Sequence, residues 1–288
     1  MIATSEAVTR AAHEREVASG ERFEFGRNWA RFLELIDESR IRQAEESLAS
    51  MLRESALEGR TFLDIGSGSG LFSLAARRLG ARVYSFDFDT HSVNCGKELR
   101  RRYDAGSREW TIEQGSVLDD VYMRSLGTFD IVYSWGVLHH TGRMWDAVHA
   151  ATGAVAPGGK LFIALYNDTG SQSDRWRTIK RLYNRIPSAL RPALAAATCA
   201  PDEVKAFARA VVHRRPGDFV RRWTVNNARG MNHWRDIVDW VGGYPYEVAA
   251  PEEVFDFCRA RGFTLIGLRC KGAGLGCNEF VFERSTRT

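Results

Sequence analysis

No stretch of this sequence holds the roughly 18–20 consecutive apolar residues that a bilayer-crossing helix needs, so no membrane span is expected. Cysteine is scarce, five in 288 residues, an odd number without tight pairing. That excludes a small disulfide scaffold and suits a reducing compartment. Glycine shows no period of three, which removes a collagen-like chain, and no internal repeat of solenoid length is present. The opening residues, MIATSEAVTRAAHEREV, carry acids and no apolar core of the kind a secretory leader shows. A cytoplasmic location is the expectation.

What is present is the make-up of an ordinary folded protein, 44% hydrophobic and 26% charged, which rules out a disordered chain. At this length one large domain, or a domain with a sizeable insertion, is expected. The net charge of +4 conceals an imbalance: residues 171–222 hold 12 Lys/Arg against 4 Asp/Glu, a local +8 that leaves the remainder at −4. A basic block of that kind fits nucleic acid, an anionic substrate or a membrane surface. It equally fits the solvated faces of surface helices.

Along the chain, residues 25–57 read as helical, with Trp29, Phe32, Leu33 and Ile36 continued by Ala44, Leu48, Met51 and Leu52 on one face. From Thr61 the pattern changes to short apolar runs alternating with helical segments. Strands are predicted at 61–65, 83–86, 110–113, 129–134 and 160–166, with helices at 71–79, 92–103 and 145–155, the last ending near Pro157-Gly158-Gly159. A helix at 252–261 precedes two strands, 263–269 and 279–283, joined without a helix and so expected to pair antiparallel. Such alternation predicts an α/β fold, a mostly parallel sheet covered on both faces.

Residues 168–250 interrupt the alternation with helical patches separated by Pro187, Pro192, Pro201, Pro216 and Pro245. Three regions are expected: an N-terminal helical extension or lid over 1–58, a core formed by 59–167 and 251–288, and a helical cap insertion over 168–250. The cap would cover the carboxyl ends of the strands, where ligands of open α/β sheets bind, and select the substrate.

The strongest chemical signal is the run from Leu63 to Gly70, LDIGSGSG. Gly66, Gly68 and Gly70 allow a tight strand-to-helix turn and close approach of a ligand. The third glycine comes one residue early for a dinucleotide fingerprint, and the lysine of a phosphate-binding P-loop is absent. Asp64, just before the loop, would repel a phosphate and suits an ammonium or sulfonium ligand. Asp87 ends the second strand, where a carboxylate accepts both hydroxyls of a ribose, or simply caps the next helix. Phe88 can pack on an adenine face, and Gly115, Ser116 and Val117 can reach its rim.

The series LDIGSGSGLFSLA, Asp87, GSVLD, FDIVYSWGVLHH and PGGKLFIA, in that order, resembles the class I S-adenosylmethionine-dependent methyltransferases. The LHH ending is similar to the small-molecule branch that includes ubiquinone- and menaquinone-type methyltransferases. The resemblance spans 61–167 and, more loosely, the last strands. It implies a seven-stranded sheet of order 3-2-1-4-5-7-6 with the last strand antiparallel, and S-adenosylmethionine as cofactor. It also implies that Gly66, Ser67 and Gly68 line the methionine part and that Asp87 holds the ribose, with Ser134 and Trp135 counted among the cofactor residues. Many relatives carry an acid where Ser116 stands; Asp119 is a candidate substitute.

His139 and His140 follow the fourth strand, where the acceptor is expected, and are the candidate bases, with His140 favoured. Capping of the next helix is the competing role. Tyr166 and Asn167, ending the fifth strand, and Trp29 in the N-terminal region are candidate acceptor contacts. Arg175 and Trp176, with Arg177, Lys180 and Tyr183, could grip a carboxylate, a phosphate or a polar ring. No metal site is expected, since Cys270 and Cys277 lack zinc-ligand spacing. The leading expectation is methyl transfer to oxygen or nitrogen of a small molecule, which would be the chain's partner in place of nucleic acid. The alternatives are a methyltransferase docking RNA or protein on the basic segment, and a cofactor-binding scaffold without catalysis. Whether the chain works as a homodimer stays open.

Overall fold

The central strands form where short runs of apolar residues, bounded by glycine or turn residues, are buried on both faces. In the computed structural model, which describes residues 2–26, 33, 36–224 and 233–286, these strands are β1 (Thr61–Ile65), β2 (Arg82–Asp87), β3 (Trp110–Gln114), β4 (Phe129–Trp135), β5 (Val155–Tyr166), β6 (Phe263–Arg269) and β7 (Cys277–Arg284). They form one sheet in the order β3-β2-β1-β4-β5-β7-β6. Strands β1 to β5 are parallel, and β7 runs antiparallel to both β5 and β6. This is the order that the resemblance implied.

Alternation along the strands divides the core into two layers. Leu63, Phe86, Val132, Ile163 and Phe280 pack under α5 (Asp120–Leu126), α6 (Met144–Gly153) and α11 (Pro251–Arg259). Phe62, Val83, Ile131, Phe162 and Val281 face α2 (Glu38–Leu52), α3 (Leu71–Arg78) and α4 (Thr90–Tyr103). The chain opens with α1 (Ile2–Ala18), whose buried residues among the described side chains are Thr9 and His13. Between β5 and α11 it makes an excursion through α7 (Ser171–Arg185), α8 (Arg191–Val212), α9 (Pro216–Thr224) and α10 (His233–Gly242). This excursion has its own small core of Trp176, Tyr183, Ala195, Ile237, Val241 and Tyr246. It leaves and returns at one point, where Asn167 bridges Ala249 and the N–H of Asp168 donates to the Ala249 carbonyl at 3.1 Å.

Several predicted boundaries move. α2 starts only at Glu38, with Asp37 as its N-cap accepting the Arg40 N–H at 2.9 Å, so 25–57 is not one helix. Trp29 and Phe32 lie outside the described residues. β5 begins at Val155 and runs through Pro157-Gly158-Gly159, where pairing with β4 slips between Phe129 and Ile131; the preceding helix stops at Gly153. Pro201 does not separate helical patches but sits inside α8. Pro192 and Pro216 occupy first helical turns, where the missing N–H has no partner to lose.

Candidate functional site

The carboxyl ends of β1, β2, β3, β4 and β5 share one rim of the sheet, and the predicted residues gather there because the strands are parallel. At its centre Gly66, Gly68 and Gly70 all have positive φ, +75°, +54° and +82°, which other residues adopt only with strain. A Cβ on Gly66 would lie 2.3 Å from Val137 Cγ1, and one on Gly70 would lie 3.0 Å from the Gly96 Cα. The first glycine therefore lets the loops after β1 and β4 interlock, and the third lets α3 lie against α4.

Asp87 binds this loop to the end of β2. Its Oδ2 accepts the Gly68 N–H at 2.9 Å and its Oδ1 accepts the Asp89 N–H at 2.8 Å. Each oxygen keeps a second lone pair for a ligand, and burial raises the carboxyl pKa to about 6. Ser67 Oγ is buried with no hydrogen-bond partner among the described residues. Asp64 lies beneath the loop, with Oδ2 accepting from Ser73 Oγ at 2.6 Å, and burial raises its pKa to about 7.

Toward β3, the Phe88 ring faces the Arg22 guanidinium at 4.7 Å, with the His13 ring edge-on at 5.3 Å. The Gly115 N–H donates to the Asp87 carbonyl at 3.0 Å, and a Cβ there would strike Tyr122 at 2.4 Å. Ser116 Oγ accepts the Leu118 N–H at 3.2 Å, and Val117 is buried in the hydrophobic core. Asp119, the candidate substitute, uses its Oδ1 to cap α5, accepting from the N–H groups of Val121 and Tyr122 at 3.0 Å. Gln114 is a site residue that no motif signalled. It sits beside Asp87 in the β2–β3 register, its Nε2 donates to the Phe88 carbonyl at 3.1 Å, and its buried Oε1 has no partner among the described residues.

On the β4 side, Ser134 Oγ donates to the Ile65 carbonyl at 2.9 Å, fastening β4 to the start of the glycine loop. Trp135, next on the strand, packs against the core layer of α2, α3 and α4. Its Nε1 donates to Glu279 on β7 at 3.1 Å. The two histidines occupy a single 3-10 turn, Leu138–His140, and are both buried. His140 Nδ1 meets the Pro245 carbonyl at 2.6 Å; a carbonyl only accepts, so Nδ1 carries the proton and Nε2 the lone pair. In His139 the assignment is reversed, since Nδ1 accepts the Tyr166 N–H at 3.3 Å and the proton sits on Nε2, buried without a partner among the described residues. Burial holds both rings neutral, lowering the His140 pKa to about 3 and that of His139 well below the usual range. Neither caps α6: the Glu247 carboxylate does so, accepting the Met144 N–H at 3.0 Å.

Aromatic rings wall the histidines. Tyr166 stands 3.9 Å from His139 and 5.3 Å from His140, Phe25 stands 4.9 Å from His140, and Trp240 and Tyr246 stand 5.6 and 5.3 Å from Tyr166. Lys180 is fully buried behind them, donating to the Trp240 carbonyl with its ammonium over the Trp240 and Tyr246 rings. Burial lowers its pKa to about 7. Asn167 is not an acceptor contact. Its Nδ2 donates to the carbonyls of Gly272 and Gly274 at 2.7 and 3.1 Å, and its Oδ1 accepts from Asn278 at 2.9 Å, so it pins the β6–β7 loop. Arg175 is exposed, Trp176 is buried against Trp240, and Trp29 lies outside the described residues.

The rim fits S-adenosylmethionine: an unpartnered Ser67 hydroxyl at a glycine cradle, Asp87 with free lone pairs, and the unpartnered Gln114 oxygen beyond it. Among the described residues no group of three or more His, Cys, Asp or Glu could hold a metal ion, and no helix is long and apolar enough to cross a membrane.

Residues 63–163 match the family model described as a methyltransferase domain. The ubiquinone biosynthesis O-methyltransferase of Caulobacter vibrioides is 30% identical over 131 residues, which cover 43% of this chain and 50% of that protein. Its namesake from Xanthomonas campestris pv. campestris is 31% identical over 114 residues, 40% of this chain and 46% of the relative. The chain thus spans about half the length of these curated relatives. Magnesium protoporphyrin IX methyltransferase from Synechocystis PCC 6803, solved with bound S-adenosylhomocysteine, shares the fold with a TM-score of 0.50 at 13% identity, over 85% of this chain and 83% of that one. PKMT2 from Rickettsia typhi does so with a TM-score of 0.53 at 14% identity, over 78% and 49%. Residues 63–163 are thus a methyltransferase domain, and the sheet around them has the strand order of the class I S-adenosylmethionine-dependent methyltransferase fold.

Proposed function

We propose that the chain transfers a methyl group from S-adenosylmethionine to a hydroxyl oxygen of a small, planar acceptor, with His140 as the base. The observation that carries this reading is the His140 Nδ1–Pro245 hydrogen bond of 2.6 Å, which fixes the tautomer and leaves Nε2 as a lone pair at the acceptor end of the rim. The curated relatives are O-methyltransferases, which favours oxygen over nitrogen as the acceptor atom.

When bound, the cofactor supplies an electrophilic methyl on a sulfonium. Gly66, Ser67 and Gly68 would hold its methionine part, Asp87 the ribose hydroxyls, and Gln114 with Phe88 the adenine end. The aromatic wall of Phe25, Tyr166 and Trp240 stacks the acceptor and excludes water, which puts the reacting oxygen in line before the chemistry starts. His140 Nε2 takes the hydroxyl proton as the oxygen attacks, and the Pro245 carbonyl stabilises the resulting imidazolium through Nδ1–H. His139 presents its Nε2–H to a second polar atom of the acceptor. The N-terminal segment closes the site as a lid, and the excursion over 168–250 acts as a cap that selects the acceptor.

Turnover of a panel of mono- and dihydroxylated aromatics, against matching anilines, tests the reading, with S-adenosylhomocysteine release as the readout. Methylation of the hydroxyl compounds is expected. Methylation of the anilines alone would overturn the oxygen assignment, and failure to bind S-adenosylhomocysteine by calorimetry would overturn the methyl-transfer reading.

A further inference from the structure

A helix of ordinary length buries an apolar stripe against its neighbours, but α8, with 22 residues, fully buries only Ala195. Beyond Pro201 no residue of the helix is fully buried; there it meets α10 through Glu203 and His233 at 2.8 Å and α9 through the Phe207 and Phe219 rings at 5.3 Å. Of the eleven large apolar side chains left exposed among the described residues, eight fall between 182 and 223. Val204, Phe207 and Val211 recur at helical spacing on α8, with Val212 next to them 77% exposed, and Val220 and Trp223 repeat the pattern on α9.

The rim of this apolar face is basic. Residues 181–224 contain nine Lys/Arg and three Asp/Glu. Between α8 and α9 an open cleft of about 320 Å³ is lined by Arg209, Arg215, Arg222 and His213 with Phe219, and no acid lines it. Arg222 shares Glu203 with His233, at 3.2 and 2.8 Å. Neither Arg209 nor Arg215 meets a carboxylate among the described residues.

We propose that the α8–α9 hairpin docks the protein on an anionic membrane surface, Val204, Phe207, Val211 and Val212 entering the acyl boundary while Arg209 and Arg215 bind lipid phosphates. Apolar residues at helical spacing, edged by arginine, are the mark of helices that lie in the lipid interface without crossing it. A second copy of the chain would bring two basic rims together and is disfavoured by charge. A nucleic acid would satisfy the arginines and leave Val204 and Val212, 66% and 77% exposed, without a partner. This docking is independent of the methyl-transfer reading.

Flotation with vesicles of phosphatidylcholine, alone or doped with phosphatidylglycerol, tests the proposal on the full chain. Partition at least about tenfold stronger onto the doped vesicles is expected, since each basic residue near an anionic surface contributes about fivefold. Added salt should weaken that binding without abolishing it. Arg209→Glu with Arg215→Glu, and separately Val212→Glu, should each cut partition at least about tenfold. Far-UV circular dichroism like that of the unmodified chain verifies folding of these variants at exposed positions. The proposal is overturned by equal binding to neutral and doped vesicles, by no binding to either, or by variants that float like the parent. Saturable binding to an RNA homopolymer without flotation would assign the basic face to nucleic acid instead, and a dimer lost in Val212→Glu would assign the apolar face to self-association.

Discussion

Arg22 Nη1 donates to the His140 carbonyl at 2.8 Å while its guanidinium carbon stands 4.7 Å from the centre of the Phe88 ring. One side chain from the N-terminal segment thus touches the proposed cofactor end and the proposed acceptor end together. Nearby, the Gly26 N–H donates to Asp89 at 2.8 Å and the Phe23 N–H to the Tyr244 carbonyl, also at 2.8 Å, so the segment is laced across the rim.

Arg22→Met keeps the length of the side chain and removes its donors. Both the S-adenosylhomocysteine Kd and the acceptor KM are expected to rise, together by about 2–4 kcal/mol, the sum of a charge-assisted hydrogen bond and a cation–π contact. Calorimetry and steady-state kinetics separate the two effects. A change in acceptor KM alone would show that the Phe88 contact has no part in cofactor binding.

Asp87→Ala is expected to weaken S-adenosylhomocysteine binding by about 1.5–3 kcal/mol. Burial raises the unliganded Asp87 pKa to about 6, and the ribose hydroxyls are donors to the carboxylate. Affinity should therefore be full above pH 7 and fall by up to about tenfold per unit as pH drops below 6. Titrations across that range check the slope, which should vanish in Asp87→Ala.

His140→Asn preserves a donor toward Pro245 at the position of Nδ1 and loses the basic nitrogen. Turnover should fall about 10²–10⁴-fold with cofactor affinity unchanged. With the His140 pKa lowered to about 3, the unmodified enzyme should show no loss of activity from that group near pH 6.5. Normal turnover in the variant would move the base elsewhere.

Asp64 holds its proton to about pH 7 in the folded chain, whereas an unfolded aspartate releases it near pH 3.9. Between those values the folded state binds more protons, so this group's contribution to stability falls as pH rises, by up to about 1.4 kcal/mol per unit. Asp64→Asn, which can still accept from Ser73, should flatten that part of the slope. Thermal melts of both proteins from pH 5 to 8 give the difference directly; parallel curves would refute the raised pKa.

Asn167→Ala should cost about 1–3 kcal/mol of stability, because buried partners on the β6–β7 loop lose their hydrogen bonds. S-adenosylhomocysteine affinity should not move. A loss of affinity with unchanged melting would return Asn167 to the binding site.

The sheet was legible because its signals are local: a glycine turn after an apolar run, then strands and helices in alternation. The contacts that sequence reasoning did not see depend on distant partners. Trp135 meets Glu279 and Asn167 meets Gly272, Gly274 and Asn278, all more than a hundred residues away. Helix α1 has no apolar stripe to read, since it is held by polar contacts such as His13 with Asp89. Gln114 and the opposite tautomers of the two histidines belong to no motif at all. They become visible only when carbonyls from residues 88 and 245 are in place.

The excursion through α7 to α10 begins and ends at one hydrogen-bonded doorway, where Tyr166 and Asp168 pair with Ala249. Its departure leaves the register of β5 with β4 and β7 undisturbed. A segment hung from a sheet in this way can be exchanged without shifting a strand, provided its replacement restores the Glu247 cap on α6 and the Pro245 carbonyl on His140. New acceptor chemistry could then be acquired by recombination at two neighbouring points, with the cofactor rim inherited intact.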